Sequence, residues 1–190
     1  MQDKVEIRWH GRGGQGAVTA SKILAEAALL SGKFVQAFPE FGPERAGAPV
    51  KSFTRISSQP INTHTQITSP DVVVVLDPTL IGMVDVCDGL AKDGLLIINT
   101  NKTPVEIRGK LGLKGGKVAT VDATDIAIKE FKRNIPNTPL IAAFVKVTGM
   151  LKLEEVMDNF RKQYAGKFSA EVIEANLRAM KAAYNGVELG

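Results

Sequence analysis

The sequence is poor in the residues that build redox and metal centres. Its 190 residues include one cysteine, Cys87, and two histidines, His10 and His64. A lone thiol makes no internal disulfide and cannot hold an iron–sulfur cluster, which takes about four thiolates. One cysteine and two histidines also leave too few soft ligands for a structural zinc, so no metal site is expected. No apolar stretch approaches the roughly 18 residues of a membrane-spanning helix. The opening Met1-Gln2-Asp3-Lys4-Val5-Glu6 lacks the apolar core of a secretory signal, so a cytoplasmic chain without a membrane partner is the expectation. Charge of one sign is scarce too: 24 basic against 20 acidic residues leave +4. The basic residues are spread along the chain, so nucleic acid is not an expected partner.

What is present is an ordinary globular composition, 44% hydrophobic and 23% charged. A chain of this size buries enough surface to fold without staples. Val5–His10 alternates apolar and polar residues and reads as a strand. Four glycines follow within Gly11–Gly16, then a helix-forming run over Ala17–Ser31 that Gly32 stops. Phe34–Ala37 is a short second strand. Val50–Ile56 and Ile61–Ile67 are expected to pair as a hairpin across the turn Ser57-Ser58-Gln59-Pro60. The continuous apolar runs Val72–Leu76, Leu95–Ile98 and Lys117–Val121 suit strands covered on both faces, hence a parallel sheet. Asp77-Pro78 resembles a helix start, and Cys87 then falls in an apolar helix over Ile81–Cys87, as a buried small hydrophobe. Helices follow over Asp125–Lys132 and from Thr138-Pro139 to about Thr148. Two helical stripes close the chain: Leu153, Val156, Met157, Phe160, Tyr164, and then Ile173, Leu177, Met180, Tyr184. The expectation is one α/β domain over 1–190. It is Rossmann-like, with a mainly parallel sheet, an inserted β-hairpin and a helical C-terminal cover from about residue 138.

Two segments carry candidate chemistry. Gly11-Arg12-Gly13-Gly14-Gln15-Gly16 fits the G-x-G-x-x-G pattern between a strand and a helix, where backbone amides favour an anion. The competing explanation is that the glycines only let strand and helix pack closely. An NAD site wants an acid at the end of the second strand, and Gln36 stands there, so a nicotinamide dehydrogenase is not favoured. His10, next to the loop, is either a hydrogen-bond donor to a ligand or structural. The other segment, Phe38–Pro49, packs three prolines and two glycines around Glu40, Glu44 and Arg45, flanked by Phe38 and Phe41. A stiffened, charged loop suits recognition of a ligand or partner subunit, though a solvated surface loop has the same composition.

Trp9-His10-Gly11-Arg12-Gly13-Gly14-Gln15-Gly16-Ala17 and Gln36-Ala37-Phe38-Pro39-Glu40-Phe41-Gly42-Pro43-Glu44-Arg45-Ala46-Gly47-Ala48-Pro49-Val50 resemble the gamma subunit of 2-oxoacid:ferredoxin oxidoreductases, its pyruvate branch in particular. Asp77-Pro78-Thr79-Leu80, Ile98-Asn99-Thr100 and Ile135-Pro136-Asn137-Thr138-Pro139 are similar as well, and the likeness runs from about Val5 to Tyr184. The resemblance implies a multi-subunit enzyme that turns a 2-oxoacid and coenzyme A into acyl-CoA, carbon dioxide and reduced ferredoxin. It implies alpha, beta and delta partner subunits carrying thiamine diphosphate, magnesium and [4Fe-4S] clusters. No residue of this chain alone is expected to be catalytic. For Gly11, Arg12, Gly13, Gly14, Gln15 and Gly16 two expectations stand side by side: they bind coenzyme A, or they only pack against the alpha and beta subunits. Phe38, Glu40, Phe41, Gly42, Glu44, Arg45 and Gly47 are expected to form a substrate or subunit-interface loop, with His10, Asn137 and Thr138 as secondary candidates. A free-standing nucleotide-binding enzyme and an interaction protein are the alternatives.

Overall fold

A computed structural model describes residues 4–40 and 47–190. In chain order the elements are β1 (Lys4–Arg12), α1 (Ala17–Leu30), β2 (Phe34–Pro39), β3 (Pro49–Ser57) and β4 (Val72–Val75). After a single 3-10 turn at Pro78–Leu80 come β5 (Leu95–Asn99), α2 (Pro104–Leu111), β6 (Lys117–Val121) and α3 (Ala123–Phe131). The chain finishes with α4 (Asn137–Thr148), α5 (Leu153–Tyr164), α6 (Ala170–Gly186) and β7 (Glu188–Leu189). Among the described residues no helix is long and apolar enough to cross a membrane.

The strands form one seven-stranded sheet in the order β2-β3-β1-β4-β5-β6-β7. β1, β4, β5 and β6 pair in parallel, whereas β3 runs antiparallel to both β1 and β2. β2 therefore points the same way as β1, and only β3 and β7 run against the rest. The chain leaves β1 toward β2 on one side and later enters β4 on the other. The carboxyl ends of β1 and β4 thus flank the switch point, the usual ligand crevice of an open α/β sheet.

Alternation sorts the buried strands onto two faces. Ile7, Trp9, Val72, Val74, Leu95 and Ile97 join the larger core with α1 and α3 to α6. Val73, Val75, Leu96 and Ile98 face a smaller core closed by α2 and the irregular segment 81–90. α4 is buried from Asn137 through Val145, because it lies between the sheet and the outer helices. Trp9 stacks obliquely on Phe144 at 6.4 Å, and its indole N–H donates to the Thr54 hydroxyl. Thr54 and Ser52 in turn donate to the carbonyls of Ser21 and Ala17. Hydroxyls of β3 thereby fix the first turns of α1, and with them the glycine loop.

Three expectations need correction, and one element is added. Ile61–Ile67 forms no strand, and the inserted hairpin is β2 with β3. The cause is Arg55, 1% exposed, whose guanidinium takes the carbonyls of Thr63 and Thr65 that a ladder would need. The same group pairs with Glu6 at 2.6 Å, donates to Gln36 and lies over the Phe38 ring. No helix spans Ile81–Cys87, because Gly82 turns at φ +93 right after the 3-10 turn. Cys87 lies in turn structure, only partly buried against the smaller core. Phe38, Pro39 and Pro49 belong to strands, which shortens the loop at both ends. Finally, α2 was not anticipated, although Thr103 and Glu106 cap its start reciprocally.

Arg8 and His10 are buried together on β1. The Arg8 guanidinium donates to His10 Nε2 at 2.9 Å and to the carbonyls of Val86 and Asp88, tying segment 81–90 to the sheet. Accepting at Nε2 requires the neutral ring. Burial, Arg8 and Lys51 together push the His10 pKa down to about 3. A histidine held neutral in the fold but charged when unfolded gives stability that is complete above pH 6.5. That stability is lost as pH falls toward 3. Urea unfolding should show a loss of up to about 1.4 kcal/mol per pH unit in that window, and His10→Gln should flatten it. Truncating Arg55 to Met should destabilise by about 2 kcal/mol at pH 7, because it leaves Glu6 with Lys4 alone and the carbonyls of Thr63 and Thr65 without their donor. The midpoint of the same unfolding curve measures it.

Candidate functional site

The site is built where the carboxyl ends of the parallel strands meet α1. Gly11 is still part of β1 and is buried. A Cβ there would lie 3.2 Å from that of Ala17, so this glycine serves close packing of strand and helix. Gly16 is the N-cap of α1 at φ +85, and a Cβ would meet the Asn137 amide nitrogen at 2.7 Å. Gly14 turns at φ +96 with nothing within 4 Å of the same position. Packing thus explains Gly11 and Gly16, whereas Gly14 borders open space.

The polar groups of the loop are largely engaged with the protein. The Arg12 amide donates to Gln15 Oε1, the Gly13 amide to the Ala48 carbonyl, and the Gln15 amide to the Arg12 carbonyl. Among the described residues, the amides of Gly14 and Gly16 have no such acceptor. Asp77, just past β4, is the node. Its Oδ2 accepts from Gln15 Nε2 at 2.6 Å and faces Arg12 Nε at 3.2 Å. Its Oδ1 accepts from the Thr79 amide at 2.8 Å and the Thr79 hydroxyl at 2.6 Å. Burial raises the Asp77 pKa, but the Thr79 and Gln15 bonds and the nearby Arg12 charge outweigh it and hold the carboxyl below its ordinary value. Arg12 also reaches the Thr79 hydroxyl and the Gly47 carbonyl.

Beside this node opens a cleft of about 380 Å³, lined by Gln15, Asp77, Thr79, Asn99, Asp122 and Thr124 among others. That volume suits a small-molecule subsite. Asn99 spans its floor, donating to the Leu76 carbonyl and to Thr124 Oγ1, and accepting from the Thr124 amide. Among the described residues no group of acidic, cysteine and histidine side chains could hold a metal.

The sequence-derived candidates are distributed unevenly. Gly47 joins the loop through Arg12. Glu40 is near it in the chain but turns to Lys51, donating its amide to the Lys51 carbonyl and pairing with Nζ at 3.4 Å. Phe38 packs on Phe53 at 5.3 Å, inside β2. Phe41, Gly42, Glu44 and Arg45 lie outside the described residues. His10 is buried against Arg8, away from the rim of the cleft. Asn137 abuts Gly16, whereas Thr138 turns to Asn176, donating to its Oδ1 at 2.9 Å. Asp77, Thr79, Asn99 and Thr124 were not read as site residues. The signal was available: polar residues directly after apolar β-runs mark the carboxyl edge of a parallel sheet.

The family described as "Pyruvate ferredoxin/flavodoxin oxidoreductase" matches residues 6–186. The pyruvate synthase subunit PorC of Thermotoga maritima is 51% identical over 183 residues, 96% of this chain and 94% of that one. The pyruvate/ketoisovalerate oxidoreductases common subunit gamma of Pyrococcus furiosus is 51% identical over 185 residues, 97% and 98% of the two chains. The crystal structure of the pyruvate oxidoreductase subunit PORC of Thermotoga maritima aligns with a TM-score of 0.86 at 47% identity, covering 100% of this chain and 99% of that one. A keto/oxoacid ferredoxin oxidoreductase gamma subunit of Geobacter sulfurreducens, 23% identical over 97% of both chains with a TM-score of 0.75, shares the fold. On this breadth of likeness, the chain belongs to the pyruvate ferredoxin/flavodoxin oxidoreductase family.

Proposed function

We propose that this chain works as the gamma-type subunit of a pyruvate:ferredoxin oxidoreductase that converts pyruvate and coenzyme A into acetyl-CoA and carbon dioxide, two electrons passing to ferredoxin. The observation that carries the reading is about half identity, 51%, across almost the whole chain to subunits of that name. The chain's donor set limits its share. Its single cysteine cannot supply the thiolates of a cluster. The clusters therefore sit on partner chains, and the family resemblance puts thiamine diphosphate and magnesium on such partners too, alpha, beta and delta subunits, where the cofactor carries the carbon and electron chemistry. This chain contributes binding and orientation.

Within that role the glycine loop and adjoining cleft receive the phosphate-bearing arm of coenzyme A. The residues fit it in a limited way. The amides of Gly14 and Gly16 and the first turn of α1 offer donors to a phosphate oxygen, while Arg12 keeps only part of its charge free of Asp77. A second reading has its own support: three loop amides already bond inside the protein, which suits a rim that only packs against partner chains.

Anaerobic purification of the tagged chain from its host tests the first proposal. The expected result is coloured partner chains and reduction of a viologen dye that depends on pyruvate and coenzyme A. A colourless solitary chain would overturn it. Gly14→Val tests the second, because it strains the turn without a steric clash. In the assembled enzyme the KM for coenzyme A should rise by about tenfold, the loss of roughly one charge-assisted hydrogen bond. An unchanged KM with normal assembly would assign the loop to packing.

A further inference from the structure

On the other side of the glycine loop from the cleft, a groove of about 400 Å³ runs between α1, α5, α6 and the turn that leads into α4. It shares no lining residue with the cleft. The turn residues alternate between the two: Asn134 lines the cleft, while Arg133 and Ile135 line the groove. The body of the groove is apolar, with Ile23 of α1 opposite an aromatic ladder of α5 and the segment after it. Phe160 stacks on Tyr164 at 4.6 Å, and Tyr164 on Phe168 at 5.1 Å with planes 6° apart. Phe168, the last rung, is 45% exposed.

One cation stands at this apolar surface without an answering group. Among the described residues Arg133 has no carboxylate partner, although other cations of the surrounding helices do. Arg161 pairs with Asp158 and Glu174, Arg178 with Glu130, and Lys129 with Asp125. Asn137, 8% exposed, spends its Oδ1 on the Thr138 amide and sets its Nδ2 against Gly16 of the loop. No aspartate or glutamate lines the groove; Glu26 faces Tyr164 from α1 but lies outside the lining. A guanidinium without a carboxylate partner beside an aromatic wall forms an environment for one negative group attached to a flat apolar body.

We propose that this groove is a second ligand site, for a small aromatic monoanion. Its ring extends the Phe160–Tyr164–Phe168 ladder, and its anionic group meets Arg133. The site is independent of where coenzyme A binds and uses none of the residues assigned to the cleft.

The probe is 8-anilinonaphthalene-1-sulfonate, with neutral N-phenyl-1-naphthylamine as its uncharged counterpart, titrated against the folded full chain and the assembled enzyme. One saturable site per chain is expected in both. Arg133→Glu, on an exposed turn, should weaken the sulfonate by at least about tenfold and leave the neutral probe within about twofold. Phe168→Ser should weaken both probes. Arg133→Gln repeats the charge test should the glutamate lower the melting temperature. Unsaturable binding, or equal effects of Arg133→Glu on both probes, would overturn the proposal. Binding to the isolated chain that disappears on assembly would overturn it too, and would make the groove a subunit contact.

Discussion

A carboxylate that is almost buried has to be answered on both oxygens, and Asp77 is the residue on which the rim of this protein turns. One oxygen is held by its own successor turn through Thr79, the other by Gln15 and Arg12 from across the switch point. Gln15 is the link that makes this more than a local cap. Its other end accepts the Arg12 amide, so the side chain that binds Asp77 also sets the shape of the glycine loop. The ends of β1 and β4, far apart in sequence, are thereby one polar unit.

The sheet explains why this unit stays in place. β4 and much of β5 are apolar on both faces, but the two covers differ in thickness. One face carries α4 with α5 and α6 outside it. The other carries α2 and an irregular segment that Arg8 grips through the carbonyls of Val86 and Asp88. Since β3 runs against its neighbours, its first residues lie beside the last residues of β1, and Gly13 bonds across to Ala48. The same reversal brings Gly47 within reach of Arg12.

Local pattern made much of this legible. Runs such as Val72–Val75 and Leu95–Asn99 announce buried parallel strands, and the stripes of α5 and α6 announce their inward faces. The glycine loop was visible as a motif. The Thr103–Glu106 cap was visible in principle, since Thr-Pro-Val-Glu is a reciprocal capping pattern that length alone made easy to pass over. Ile61–Ile67 could not be read correctly, because its carbonyls answer to Arg55, a buried cation on another element. Asp77 had the same difficulty in reverse. It looked like the start of a helix, and its larger role depends on strand order, which no local window contains.

The position of β1 also has a history in the growing chain. It is made before the other six strands of the sheet, yet it lies between β3 and β4, with Lys4 opposite Ser57 and Ile7 opposite Val72. During synthesis one of its two hydrogen-bonding edges has no partner until residue 72 has emerged, so an open strand edge persists for that interval. Once the sheet closes, the order is inverted. A strand bonded along both edges opens only with the sheet as a whole. The segment that ends in the glycine loop thus carries an open edge while it is being made and is bonded along both edges afterwards.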